Sequence, residues 1–153
     1  MLERLFPRSA NNDFRGHPAA LWLLAAIAVV TWVRSLIHLF RADGGAQSIA
    51  TIPLDQYTPE GAAAVVMVFA LWGRSQLLLA AVLTLVLWRY RNLVPLMYLL
   101  LFAEYAGRLL IGIWKPVETL SRPPGAVANM VFPVLSAGML WLSTRTRRPT
   151  ATG

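Results

Sequence analysis

The sequence predicts an all-α integral membrane protein: an up-down bundle of four transmembrane helices with both termini cytoplasmic. Three observations predict it. Hydrophobic residues make up 57% of the 153 positions and charged residues 14%, where soluble domains carry roughly 25% charge. Four runs, at about 18–40, 59–88, 93–114 and 124–144, reach the length of ~20 apolar residues that a hydrocarbon core ~30 Å thick demands of a helix. The basic residues collect at the ends of those runs, more on one side than the other. Helix is the only suitable spanning structure, because lipid offers an open strand edge nothing to bond. The length fits a single membrane domain, 1–153.

The first span opens at Pro18, where the first helical turn loses nothing by lacking an N–H. Its apolar stretch reaches Val33 and resumes to Phe40, with no small-x-small cleavage site soon after, so it reads as a retained span. Thr58 is the expected N-cap of the second span, ahead of Pro59, and Asn92 that of the third. The turn 89–92 between them is short enough to make the two an antiparallel hairpin. Pro116 stops the third span. The fourth opens at Pro123 or Pro124 and carries Pro133 inside, which predicts a kink. Trp88, Tyr90, Trp114 and Trp141 sit near run ends, as amphipathic rings do at a membrane interface. Gly73, Gly107, Gly112 and Gly138 should let helices approach closely. Met67, Met97 and Met130 read as apolar filler, and His17 as an interfacial residue.

Orientation follows from the arginines. Arg4, Arg8, Arg15, Arg89, Arg91, Arg145, Arg147 and Arg148 fall on one side; Arg41, Lys115 and Arg122 fall on the other. The positive-inside rule therefore places both termini, with the basic tail 145–153, in the cytoplasm. The remaining long connection, 41–60, reads RADGGAQSIATIPLDQYTPE. Its paired glycines allow a turn, and Ile49, Ile52, Pro53 and Leu54 give it apolar weight, so it is expected to form an ordered extracytoplasmic cap.

Composition also excludes. With no Cys there are no disulfides, thiolate nucleophiles or iron–sulfur clusters. Two His and scattered carboxylates give no metal-ligand spacing. Neither a nucleophile elbow, a P-loop nor a dinucleotide fingerprint is present. The net charge of +7 comes from 13 Arg and one Lys. At span ends this charge serves topology and anionic headgroups rather than nucleic acid. Arg, Ala, Gly and Pro in plenty with almost no Lys suggest a GC-rich bacterial coding bias, which bears on the source alone.

Any chemistry must lie in the polar residues inside the spans. These are Arg34 and His38 in the first, Arg74 and Gln76 in the second, Glu104, Tyr105 and Arg108 in the third, and Asn129 in the fourth. A charge at bilayer depth costs at least ~2.5–3.5 kcal/mol and normally faces the bundle interior. Arg34 and His38 share a helix face, and Glu104 and Arg108 can pair within one helix. Arg74 and Gln76 stand about 200° apart, so the second span should touch neighbours on two sides. Alternating span directions bring the whole set to one belt, with Arg34, Arg74 and Arg108 opposed by Glu104. Arg cannot shed its charge, so Asp43 and Asp55 in the loop are the expected counter-charges, with Glu60 and Glu118 further candidates. Failing these, an anionic ligand would serve.

Two segments, ALWGRSQLLLA (70–80) and EYAGRLLIG (104–112), resemble small bacterial four-helix membrane proteins of the DoxX-like and related uncharacterised-domain type. The matching positions are Trp72, Gly73, Gln76, Gly107 and Arg108. The loop and Arg74 depart from that pattern. The resemblance implies the bundle and the bacterial inner membrane, and no reaction.

The expected function is therefore an accessory, structural or lipid-interacting membrane subunit with an intramembrane Arg belt and no catalytic residue. The alternative is binding or transport of an anionic or polar-headed lipophilic ligand, such as a lipid or quinone, in an outward-opening cavity. An intramembrane enzyme using His38 and Glu104 ranks below both. The sequence identifies no cofactor and no nucleic-acid partner. Membrane lipids, a second copy of the chain or a larger membrane complex are the partners it admits.

Overall fold

A computed structural model describes residues 2–145. Among the described residues all regular structure is helical. The order is α1 (Leu2–Leu5), α2 (Pro18–Phe40), α3 (Pro59–Arg89), α4 (Val94–Trp114) and α5 (Pro124–Thr144), with short 3-10 turns at Leu54–Gln56 and Arg91–Leu93. The four long helices are long and apolar enough to cross a membrane, and their boundaries fall within a residue or so of the expected spans. Arg147, Arg148 and the rest of the expected tail beyond Arg145 lie outside the described residues.

Local chemistry explains the ends. Thr58 Oγ1 accepts from the Gly61 N–H at 3.2 Å and caps α3. His17, expected only to sit at an interface, caps α2 by accepting from Ala19 N through Nδ1. Asn92 does not cap α4: its side chain is spent on Asn11 N (2.9 Å) and Ser9 O (2.8 Å), tying the N-terminal segment to the α3–α4 turn. Pro133 is buried inside α5, which continues as helix through it.

Cross-helix bonds fix the register. Trp32 Nε1 donates to Thr84 Oγ1 (3.0 Å) and Arg34 to Gln76, so α2 and α3 run in opposite directions. Tyr98 OH donates to Ala20 O (2.6 Å), setting the start of α4 beside the start of α2. His17 N bonds Leu142 O (3.2 Å), so the end of α5 joins them. At the opposite end Thr51 bonds Ser121 O and accepts from Ser121 N, linking the long loop to the α4–α5 connection.

Packing corrects one expectation. Despite the short turn between them, α3 and α4 do not pack extensively; α3 lies along α2, and α4 along α5. The main core sits between the two pairs, toward the His17 end, built from Leu24, Ile27, Leu83, Val86, Tyr98 and Leu101. Close helix approach belongs to Gly73 alone among the four glycines expected to provide it: Gly107, Gly112 and Gly138 have nothing within 4 Å of an added Cβ. Of the three methionines, Met97 is core, while Met67 and Met130 are exposed.

Helix α3 has 31 residues, roughly 46 Å at 1.5 Å each, which exceeds a hydrocarbon core of ~30 Å. Gly73 faces His38 near the end of α2, so the first half of α3 continues beyond Phe40. There the loop covers it. Ala46, Ile52 and Leu54 form a second small core against Ala62, Val65, Val66 and Phe69. Gly44 and Gly45 turn the chain at φ +59° and +76°, conformations that disfavour a side chain.

Asp43 organises this loop. Its carboxylate accepts from Gly45 N (2.9 Å) and Ser48 N (2.7 Å) and faces Arg41 at 3.3 Å. Burial alone would raise its pKa; bonds from the Ser48 hydroxyl and backbone and from Gly45 N, with the Arg41 charge, outweigh burial and hold the pKa at about 2, below the ordinary 3.8. A carboxyl with a depressed folded pKa stabilises fully above its unfolded value, and that contribution is lost as pH falls through the folded value. Pepsin cleavage within 41–58 is therefore expected to rise steeply as pH drops from about 4 toward 2. Asp43→Asn should already be cut faster at the upper end of that range. A cleavage rate indifferent to both changes would contradict this role.

Candidate functional site

A polar cluster lies just beyond the main core, toward the end of the bundle that carries the 41–58 loop, and crosses three helices. From α2, Arg34 Nη2 donates to Gln76 Oε1 on α3 at 2.8 Å. Gln76 turns its amide nitrogen the other way and donates to Glu104 Oε1 on α4 at 3.0 Å. Arg108, one turn along α4, closes on the same oxygen through Nε (2.9 Å) and Nη2. Gln76 is 5% exposed, so one buried amide relays between a cation and an anion with both its ends used.

Aromatic rings enclose the cations. Arg34 and Arg108 lie 5.3 and 4.7 Å from the Trp72 ring centre, and Arg108 lies 5.0 Å from that of Tyr105. Tyr105 in turn stacks on Phe132 of α5 at 4.6 Å. Cation–π contacts of this kind strengthen where water is excluded. His38 sits against the other face of the group, 4.7 Å from Trp72 and 5.5 Å from Phe69. Its Nδ1 meets Gly44 O at 2.7 Å, which makes Nδ1 the protonated nitrogen and links the cluster to the loop.

Thus Arg34, His38, Gln76, Glu104, Tyr105 and Arg108 stand together in one cluster, and Arg74 and Asn129 stand outside it. Arg74 is exposed on α3 and touches no polar group of the cluster; the 200° between it and Gln76 sends it to the far side of the helix, not to a second neighbour. Asn129 is half-buried on α5 and bonds no member of the cluster, because α5 meets α4 through Phe132 instead. Asp43 and Asp55 are not counter-charges either. Asp43 is consumed by its own loop, and exposed Asp55 accepts from Gln47 at 3.3 Å. Glu60 and Glu118 are exposed away from the cluster.

The cluster consequently holds Arg34 and Arg108 against Glu104, a surplus of one positive charge. Its unmet bonding is specific. Arg34 Nε and His38 Nε2 are buried without a partner. All three bonds to Glu104 reach Oε1, so Oε2 has none among the described residues. His38 and Glu104 share no hydrogen bond, so the acid–base pairing expected of an enzyme is not assembled. Among the described residues, no three His, Asp or Glu gather to hold a metal ion. A cavity of about 630 Å³ lies elsewhere, on an open apolar face of α5 lined by Met130, Val134, Gly138 and Trp141.

Trp72 is the site residue that attention to charge misses. It stands four residues before Gln76, on the same helix face, and that spacing marks it. Searches against family models, curated proteins and solved structures find no match to this chain.

Proposed function

We propose that the chain is a non-catalytic, multi-pass protein of a bacterial inner membrane, an accessory or lipid-interacting subunit whose intramembrane polar cluster locks its helices together. The observation that carries this is the unbroken relay Arg34–Gln76–Glu104–Arg108, which joins α2, α3 and α4 where α3 and α4 otherwise pack little. The resemblance of Trp72, Gly73, Gln76, Gly107 and Arg108 to DoxX-like bundles implies the bundle and the bacterial inner membrane, and no reaction. The register gathers Arg4, Arg15, Arg89 and Arg91 at one end with the close of α5, and under the positive-inside rule this supports a bundle with cytoplasmic termini and an extracytoplasmic loop.

A second reading rests on the buried, unpartnered Arg34 Nε and His38 Nε2. One is a donor and the other an acceptor, so the head of a polar lipophilic molecule, such as a quinone or lipid, could bond both beside Trp72. Arg34→Leu separates the readings. A lock predicts a loss of about 1–3 kcal/mol in detergent, because the Gln76 acceptor is left unsatisfied while the Glu104–Arg108 pair survives. It also predicts the same retained small molecules in native mass spectrometry before and after. A molecule retained by the wild type and lost from Arg34→Leu favours the ligand. An unchanged melting temperature removes the lock.

A further inference from the structure

One oxygen of a paired carboxylate, Glu104 Oε2, and one guanidinium, Arg74, remain without a partner among the described residues, at one depth. Glu104 is the central residue of α4, ten positions from Val94 and ten from Trp114, or roughly 15 Å from either end. Its side chain is 38% exposed and its Oε2 has no partner among the described residues. Glu104 stands in the middle of a helix long and apolar enough to cross a membrane, a depth at which an unmet carboxylate oxygen is costly. Arg74 is exposed on α3 without a polar partner, inside an apolar face formed by Met67, Leu71, Leu78 and Leu85. Gln76 bonds Glu104, so the two helices are in register there, and Arg74 stands two residues, about 3 Å along the axis, from the Glu104 level. An arginine side chain spans that offset easily.

Within one chain the two cannot meet, since Arg74 lies on the side of α3 turned away from Gln76. Rotation about an axis along the membrane normal preserves depth, so a second copy presents its Arg74 at the height of the first copy's Glu104. We propose that the protein assembles into a cyclic homo-oligomer in which Arg74 of each copy donates to Glu104 Oε2 of the next. The two charges occupy different sides of the protomer, so the contact is heterologous and closes as a ring rather than as a two-fold dimer. The α4 flank beside Glu104 fits an approaching helix. Ala103 is exposed, and one turn on, Gly107 has open space within 4 Å of where a Cβ would stand; such small residues let membrane helices close. Lipid headgroups are a poorer source for the missing donor, because they would have to descend roughly 15 Å to the middle of α4.

The absence of Cys from the chain makes the test clean. Ser75→Cys and Ala103→Cys, each next to one of the charges and both exposed, are to be co-expressed as full chains and oxidised in native membranes. A Ser75–Ala103 mixed disulfide is expected, well above that from Ser75→Cys paired with Val134→Cys on the open face of α5. In native mass spectrometry from mild detergent the wild type should be oligomeric. Arg74→Glu, which removes no contact inside the protomer, should be monomeric with an unaltered melting temperature for the single chain. A monomeric wild type without the mixed disulfide overturns the proposal. So does a product dominated by Ser75–Ser75 links, which would mean α3 packing on itself. Neither result bears on the lock within the protomer, which Arg34→Leu tests separately.

Discussion

Replacing Glu104 with Leu is expected to be the most damaging single change in the protein. One oxygen of this carboxylate receives Gln76 and both bonding nitrogens of Arg108, and Arg34 is one link further along. Without it, two guanidinium groups remain among Trp72, Tyr105 and Phe132 with no anion in the cluster. Arg108 has a side chain only 14% exposed and cannot deprotonate to escape. Breaking a buried pair by deleting one partner costs about 3–5 kcal/mol, mostly for the charge left behind. Glu104→Leu should therefore lower detergent stability more than Arg34→Leu, which leaves the remaining pair neutral. The double change Glu104→Leu with Arg108→Leu should recover most of the loss, since an apolar pair of similar volume can replace a buried ion pair at little cost. What remains is the unsatisfied Gln76 amide, about 1–3 kcal/mol, together with an Arg34 guanidinium that no longer has an anion in the cluster. Thermal unfolding of the two single variants and the double variant forms a cycle that reads the coupling directly. If the double variant is as unstable as the sum of the singles, Glu104 and Arg108 do not act as a pair.

The contrast between these variants shows what the sequence could and could not reveal. The four spans were legible because a hydrocarbon slab imposes one length and one composition on every crossing helix, and Pro18, Pro59 and Pro124 mark the starts. The membership of Arg34, Gln76, Glu104 and Arg108 was legible too, since i,i+4 spacing and depth come from counting residues. Rotation about the helix axis was the weaker inference. Two polar residues on α3, Arg74 and Gln76, had equal claims to the interior, and only packing against α2 chose between them. That choice is set by Gly73, Ala80 and Leu83, small or apolar residues whose shape, not charge, fixes the face of α3 turned inward. Loop carboxylates were misassigned for a related reason. Net charge suggested that Asp43 should go where positive charge is in excess, but its own neighbours Gly45 and Ser48 offer backbone N–H groups at shorter range. Local hydrogen bonding of an aspartate competes with any long-range partner, and the loop needs this one to make its turn. Asn92 repeats the lesson: a residue suited to a cap is taken by the N-terminal segment instead.

Enlarging Gly73 is the second change expected to be severe, and its effect should spread. A Cβ at this position would stand 2.7 Å from His38 Cβ and 3.1 Å from Ser35 O. Both obstacles belong to α2 at or next to its backbone, so no side chain can swing aside; the helices themselves must part. Gly73→Ala already forces α2 and α3 apart, since its Cβ would stand 2.7 Å from His38 Cβ, and Gly73→Val forces them further, at a cost in the range of about 1–3 kcal/mol or above for overpacking. Parting α2 from α3 acts on three features at once. It lengthens the Arg34–Gln76 bond, lifts His38 from Trp72 and Phe69, and pulls on the His38–Gly44 link that ties the loop to the bundle. Gly73→Val should accordingly lower the melting temperature and also open the 41–58 loop to protease at temperatures well below melting. Gly107→Val, at a position with nothing within 4 Å, is the matched control and should change neither property of the single chain. Equal tolerance of Val at both positions would mean that α2 and α3 are not in the close contact on which the cluster's geometry depends.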